Sequence, residues 1–237
     1  MLRANNPVAS IWRWLALVSL GLAGCAGMPP SALPQEPANL VVVKTVRIPT
    51  TEPWVSRFAS HTWLDVKNGA ENAWERLEIL SKESGVMIYP ITSAEARADA
   101  RWTNRVEVIG LVSGDAAEKM IPALVERAKN YPDRANYSAW PGPNSNTFIT
   151  YLARETPGLH LQFNHNAVGK DYVPWFYVGP SVTGTGWQVD TWLVGLQIGL
   201  REGIEVHLLQ FTFGISIFPP ALKLPFLPKL GFSSATD

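Results

Sequence analysis

Trp140-Pro141-Gly142-Pro143-Asn144-Ser145-Asn146-Thr147-Phe148 is the stretch on which the reading of this chain turns. Pro143 favours an extended residue before it, and Asn144 is a good helix N-cap. A helix is therefore expected from about Ser145 to Arg154, stopped by Pro157-Gly158. Ser145 then stands in the first turn, beside unpaired backbone N–H groups and the positive end of the helix dipole.

Upstream, β-rich runs alternate with turn signals. Leu40 to Val46, Ser60 to Val66, Trp74 to Leu80 and Arg105 to Leu111 read as strands, and Asn68-Gly69 marks a hairpin between the second and third. Asp115 to Lys129 reads as a helix. Its capping-box pair would be Asp115 and Glu118, and Met120, Ile121, Leu124, Val125 and Ala128 recur on one face. Downstream, Trp187 to Leu200 and Ile204 to Phe218 flank Arg201-Glu202-Gly203 as a β-hairpin, and a Pro- and Leu-rich tail runs from Pro219 to Phe232. Strands, then helices, then a β end predict an α+β fold: one antiparallel sheet packed with two helices, with an added C-terminal hairpin and tail.

The N-terminus reads as a processing signal. Arg3 and Arg13 supply a basic region without acidic residues, and Trp14 to Gly24 is an uncharged apolar run. That run is shorter than the roughly 20 residues a spanning helix needs. It ends in Leu22-Ala23-Gly24-Cys25, which resembles the lipobox of bacterial lipoproteins. The resemblance implies a signal peptide over 1–24 and lipid on Cys25, with a membrane as partner. Two or three acyl chains, the lipoprotein norm, hold far more firmly than one. Ala26, not aspartate, at the next position implies a periplasm-facing anchor in the outer membrane rather than the inner. Residues 25–39, rich in proline, read as an extended tether with little to bury, leaving 40–232 as a single domain. Cys25 is the only cysteine, which excludes an intrachain disulfide and a multi-cysteine metal site. Without Arg3 and Arg13, 18 basic residues face 20 acidic ones. No basic run stands out, so nucleic acid is not an expected partner.

From Trp140 to Arg154, and again at Ala167-Val168-Gly169-Lys170-Asp171-Tyr172, the chain resembles an uncharacterised bacterial family, the domain of unknown function labelled 3750. The resemblance extends over about Leu40 to Gly231, with Gly184-Thr185-Gly186 and the Leu222-Lys223-Leu224-Pro225 tail. It implies no activity.

A strand histidine, His61, followed later by a helix opening Asn-Ser-Asn-x-Phe is more distantly similar to circularly permuted papain-like hydrolases and acyltransferases. That resemblance implies a catalytic Ser145 with His61 as base, next to the helix-start residues Asn144 and Asn146. The family has cysteine where Ser145 stands. A helix terminus can make a thiolate, but a serine needs a base to take its proton. An orienting carboxylate is then required. Asp65 lies roughly 13 Å along the same strand, too far, whereas Glu78 or Glu107 on neighbouring strands could reach. Lys170 and Asp171 are candidate binding residues beside Tyr172 and Trp175. His160 and His165 lack the further ligands of a metal site, and no cofactor motif is present. The expected function is a lipid-anchored envelope protein with a non-enzymatic papain-like binding domain. The alternative is a serine-variant hydrolase or acyltransferase acting on a cell-wall peptide or lipid.

Overall fold

The computed structural model describes residues 27–35, 38–49, 59–69 and 73–231. The signal sequence and Cys25 lie outside the described residues. The first sheet has five antiparallel strands in the order β4-β3-β2-β1-β5. These are β1 (Leu40–Arg47), β2 (Ser60–Asn68), β3 (Ala73–Ile79), β4 (Val86–Ile91) and β5 (Val106–Ser113). Among the described residues three α-helices accompany it: α1 (Ser93–Ala98), α2 (Asp115–Lys129) and α3 (Ser145–Glu155). The fold is mixed α and β with antiparallel sheets and few helices.

Strand alternation divides the sheet into two faces. Val41, Val43, Leu64, Val66, Leu77 and Ile79 point to one side, where they pack on Leu124 of α2 and Phe148, Ile149 and Leu152 of α3. Leu40, Val42 and Trp74 point to the other side, against Leu33 and Ala96 of α1. That second face also carries a buried ionic quartet. Lys44 Nζ lies 2.7 Å from Asp65 and 2.6 Å from Asp99, and Arg76 bonds both carboxylates at 2.6 to 2.8 Å. Two cations and two anions at 0 to 3 % side-chain exposure are stable only together, because each charge compensates the burial of another.

Two local expectations are corrected. Residues 27–35 are packed instead of extended. Gly27 and Met28 pair with Val108, Pro30–Ala32 form a 3-10 turn, and Arg97 binds the carbonyls of Leu33 and Pro34. Leu33 and Met28 supply the apolar surface that an extended spacer would have wasted. The N-cap of α2 is Gly114, with φ of 66° and no side-chain cap, so Asp115 is the first helical residue and not the cap.

The C-terminal part is larger than a hairpin. Seven antiparallel strands follow the order β12-β11-β10-β9-β8-β7-β6. They are β6 (Tyr177–Pro180), β7 (Gly186–Asp190), β8 (Val194–Gly199), β9 (Gly203–Leu208), β10 (Phe211–Ser216), β11 (Ala221–Lys223) and β12 (Leu230–Gly231). The turn at Arg201-Glu202-Gly203 joins β8 to β9 as expected. The run from Trp187 to Leu200 is two strands, because Thr191 folds it back: its hydroxyl accepts from the N–H groups of Leu193 and Val194 and donates to the Val194 carbonyl. The tail wraps the domain, with His165 and Asn166 held against the backbone of Leu224, Phe226 and Leu227.

Candidate functional site

The start of α3 is fixed by side-chain amides. Asn144 caps it, its Oδ1 accepting from Asn146 N at 2.9 Å and Thr147 N at 3.3 Å, while Thr147 Oγ1 accepts from Asn144 N at 3.1 Å. The Asn144 Nδ2 donates to the carbonyls of Ala139 (3.1 Å) and Val168 (3.0 Å). Gly169, at φ of 85°, lies so close that a Cβ there would collide with the Asn144 amide. Asn146 joins the helix to β2: its Nδ2 donates to Ser60 O at 3.0 Å, and its Oδ1 accepts from Thr62 Oγ1 at 2.7 Å. Both asparagines, expected as binding residues, are buried and fully engaged in holding α3 in place. Ser145 is buried between them.

His61 occupies the opposite face of the sheet. Thr62 reaches α3, so by alternation His61, Trp63 and Asp65 project away from it. The imidazole stacks on Trp63 at 5.4 Å and leans on Trp102 at 5.4 Å. Its Nε2 lies 3.2 Å from Glu78 Oε2. Glu78 has no exposed side-chain surface and also accepts from Arg101 at 2.9 and 2.8 Å and from the Tyr89 hydroxyl. Burial pushes the Glu78 carboxyl up, but the hydrogen bonds from His61, Arg101 and Tyr89 outweigh it and hold the group well below its usual range. Burial lowers the His61 pKa despite the Glu78 contact, so the ring is neutral at neutral pH. Burial and the Glu78 charge raise Tyr89 to about 12.

Of the expected triad, the fold brings His61 and Glu78 together and leaves Ser145 across the sheet. Glu78 is the partner of His61; Glu107, the other carboxylate left open, sits by Arg105 at 3.9 Å. Beside the Glu78 cluster opens a cleft of about 380 Å³, lined by Arg76, Tyr89, Glu95, Asp99 and Arg101.

Lys170 and Asp171 lie elsewhere, sealed under the second sheet. Lys170 bonds Asp171 and, at 3.2 Å, Glu205; Lys223 bonds Glu205 and the Glu202 carbonyl. His207 bridges Asp190 (2.6 Å), Asp171 (3.3 Å) and Glu205 (3.4 Å). Although burial opposes it, the negative charge of Asp171 and hydrogen bonds to Asp190 and Glu205 push His207 up to about 9. Asp171, Asp190 and His207 stand close enough to hold a metal ion, with ligand atoms within 4.8 Å of one another. Yet Lys170, Lys223 and protonated His207 already pair with these carboxylates and with Glu205, and the buried Arg154 adds a further positive charge near Asp171 and Asp190. A metal would have to expel the His207 proton and sit among these positive charges. Sequence reasoning had flagged only the adjacent Lys170 and Asp171, because the other members come from β7, β9 and β11.

Over residues 41–172 the chain matches the model of a family described as "Protein of unknown function (DUF3750)". The match includes β1 to β5, all three helices and Ser145, and stops before the second sheet. No curated protein matches the chain. No solved structure matches it either.

Proposed function

Because the chain belongs to the DUF3750 family, whose description assigns no activity, we propose a role from its own residues: a lipid-anchored bacterial envelope protein that binds a ligand without transforming it. The anchor is Cys25, in the outer membrane and facing the periplasm. The observation that carries the binding half is the separation of Ser145 and His61 to opposite faces of β2. A serine hydroxyl needs a base to take its proton, and a neutral imidazole stacked on Trp63 and leaning on Trp102 cannot swing through a sheet to reach Ser145. On this reading the sheet with α3 across it serves as a scaffold and not as a papain-like catalytic core, which needs the two side chains to meet. The binding site is the cleft beside Glu78. Arg101 and Glu95 at its wall offer both signs of charge, which suits a cell-wall peptide better than an acyl chain.

The alternative, a hydrolase or acyltransferase using Ser145, draws on one observation: Ser145 is the first residue of α3, at the positive end of its dipole. Covalent reactivity separates the two. A wild-type chain that reacts with a serine-directed fluorophosphonate no faster than Ser145→Ala supports binding. Labelling that is lost in both Ser145→Ala and His61→Ala overturns it.

A further inference from the structure

The second sheet is built inside out. In β7 to β11 every second side chain points inward, and all of these are polar or glycine except Ala221: Gln188, Gln197, Glu205, Gly214 and Lys223 make one row across the sheet, and Asp190, Gly195, His207 and Thr212 another. The outward rows contain only hydrocarbon and indole. One runs Trp187, Ile198, Ile204, Ile215, Leu222; the next is Val189, Leu196, Val206, Phe213; the third is Val194, Leu208 and Phe211. All of these outward residues except Phe211, which is half-buried, are exposed. In water a sheet with one wet face turns its apolar side to the core. Here the ionic cluster fills the core and the apolar side faces out, the alternation found where hydrocarbon is the outer solvent.

We propose that this face lies in the acyl region of one leaflet of the membrane that carries the lipid anchor. Its size fits: the longest strands, β8 to β10 with six residues each, rise about 20 Å, and seven strands at about 4.8 Å spacing are roughly 29 Å wide. Strands this short do not span a bilayer, for which about 9–11 residues are required. The face has no hydrogen-bonding group in β7 to β11 other than the Trp187 indole, whereas a protein interface carries about one hydrogen bond per 100–200 Å² and a polar rim. At its margins stand Trp175, Phe176, Trp192 and Phe218, all exposed and of the kind that gathers at the membrane–water boundary.

The anchor is close by in sequence, and here the inference rests on lipid at Cys25. Gly27 is already docked on β5 through the Val108 carbonyl at 3.1 Å, so Cys25 is no more than about 7 Å of chain from the folded body. No long spacer holds the domain away from the bilayer.

Cys25 being the only cysteine, a second one can be labelled alone once the first carries lipid. Val206→Cys on the outward face and Glu126→Cys on the exposed side of α2 each receive an environment-sensitive NBD fluorophore in the full mature lipoprotein. The protein is reconstituted into phosphatidylethanolamine and phosphatidylglycerol vesicles with or without an acyl-chain nitroxide. The expected result is bright emission at residue 206, quenched by at least about twofold by the nitroxide, as for a group buried 5–10 Å below the surface. Position 126 should be neither bright nor quenched. Brightening at 206 without quenching, in a species of twice the monomer mass, means that a second copy covers the face and overturns the proposal. A dim, unquenched 206 overturns it as well. Palmitate incorporation, lost in Cys25→Ala, reports the anchor separately, so failure of the anchor and failure of the face are told apart.

Discussion

Replacing Asn144 by aspartate distinguishes a helix cap from a two-sided clamp. As a cap alone, Asn144 would accept either Ala at a cost of about 0.5–2 kcal/mol or Asp at no cost. The structure assigns the amide a second task, since its Nδ2 donates to Ala139 O at 3.1 Å and Val168 O at 3.0 Å. In Asn144→Ala the cap is lost and the Ala139 carbonyl loses this donor, while Val168 O keeps the bond from Asn146 Nδ2 at 2.8 Å. Lost cap and lost bond together come to about 2–3 kcal/mol. Asn144→Asp retains the cap and gains about 0.3–1 kcal/mol from the helix dipole. It also places a carboxylate oxygen against two carbonyl oxygens in a site only 6 % exposed. Two donated bonds vanish and a charge is desolvated, at least about 3 kcal/mol of loss. Asp should therefore be as damaging as Ala or worse. Urea unfolding of the detergent-solubilised protein, followed by tryptophan fluorescence, reads this as a lower midpoint at constant slope. An aspartate variant within about 0.5 kcal/mol of wild type would refute the clamp.

The ionic quartet and the His207 cluster give two further expectations. Lys44→Met leaves Asp65 and Asp99 with Arg76 alone and should destabilise by about 3–5 kcal/mol in the same urea assay, whereas a loss below about 1 kcal/mol would show that the charges are not coupled. His207, raised from 6.5 to about 9, contributes stability that is complete below pH 6.5 and lost as pH rises through 9. The unfolding free energy should fall across that window in the wild type, and this fall should be absent in His207→Gln.

The first sheet was legible because its strands carry β-branched runs between turn signals, α2 because apolar residues recur at helical spacing, and α3 because Asn144 caps it and Pro157-Gly158 stops it. β4 was not, since Pro90 within Val86-Met87-Ile88-Tyr89-Pro90-Ile91 argues against a strand. It is tolerated because β4 is the edge of the sheet. α1 escaped notice at six residues, although Thr92 and Glu95 form the capping box that announces it. For the site, sequence placed His61 on a strand and Ser145 at a helix start, and both positions hold. Which face of β2 the helix would cover was not in the sequence. A shift of one residue in that docking moves every side chain to the other side, and here Thr62, not His61, meets α3. The outward apolar face was invisible for a related reason: alternation in Ile204-Glu205-Val206-His207-Leu208 announces two faces without saying which one is solvated.

The central claim, that this protein binds without catalysing, is tested most directly by the occupancy of Ser145 after saturating exposure to a fluorophosphonate, read by mass spectrometry of the intact chain and of its α3 peptide. With His61 on the other face of the sheet, Ser145 should carry no adduct above the level found in Ser145→Ala. A stoichiometric adduct on Ser145 that disappears in His61→Ala would contradict the account, because it would require the two side chains to meet.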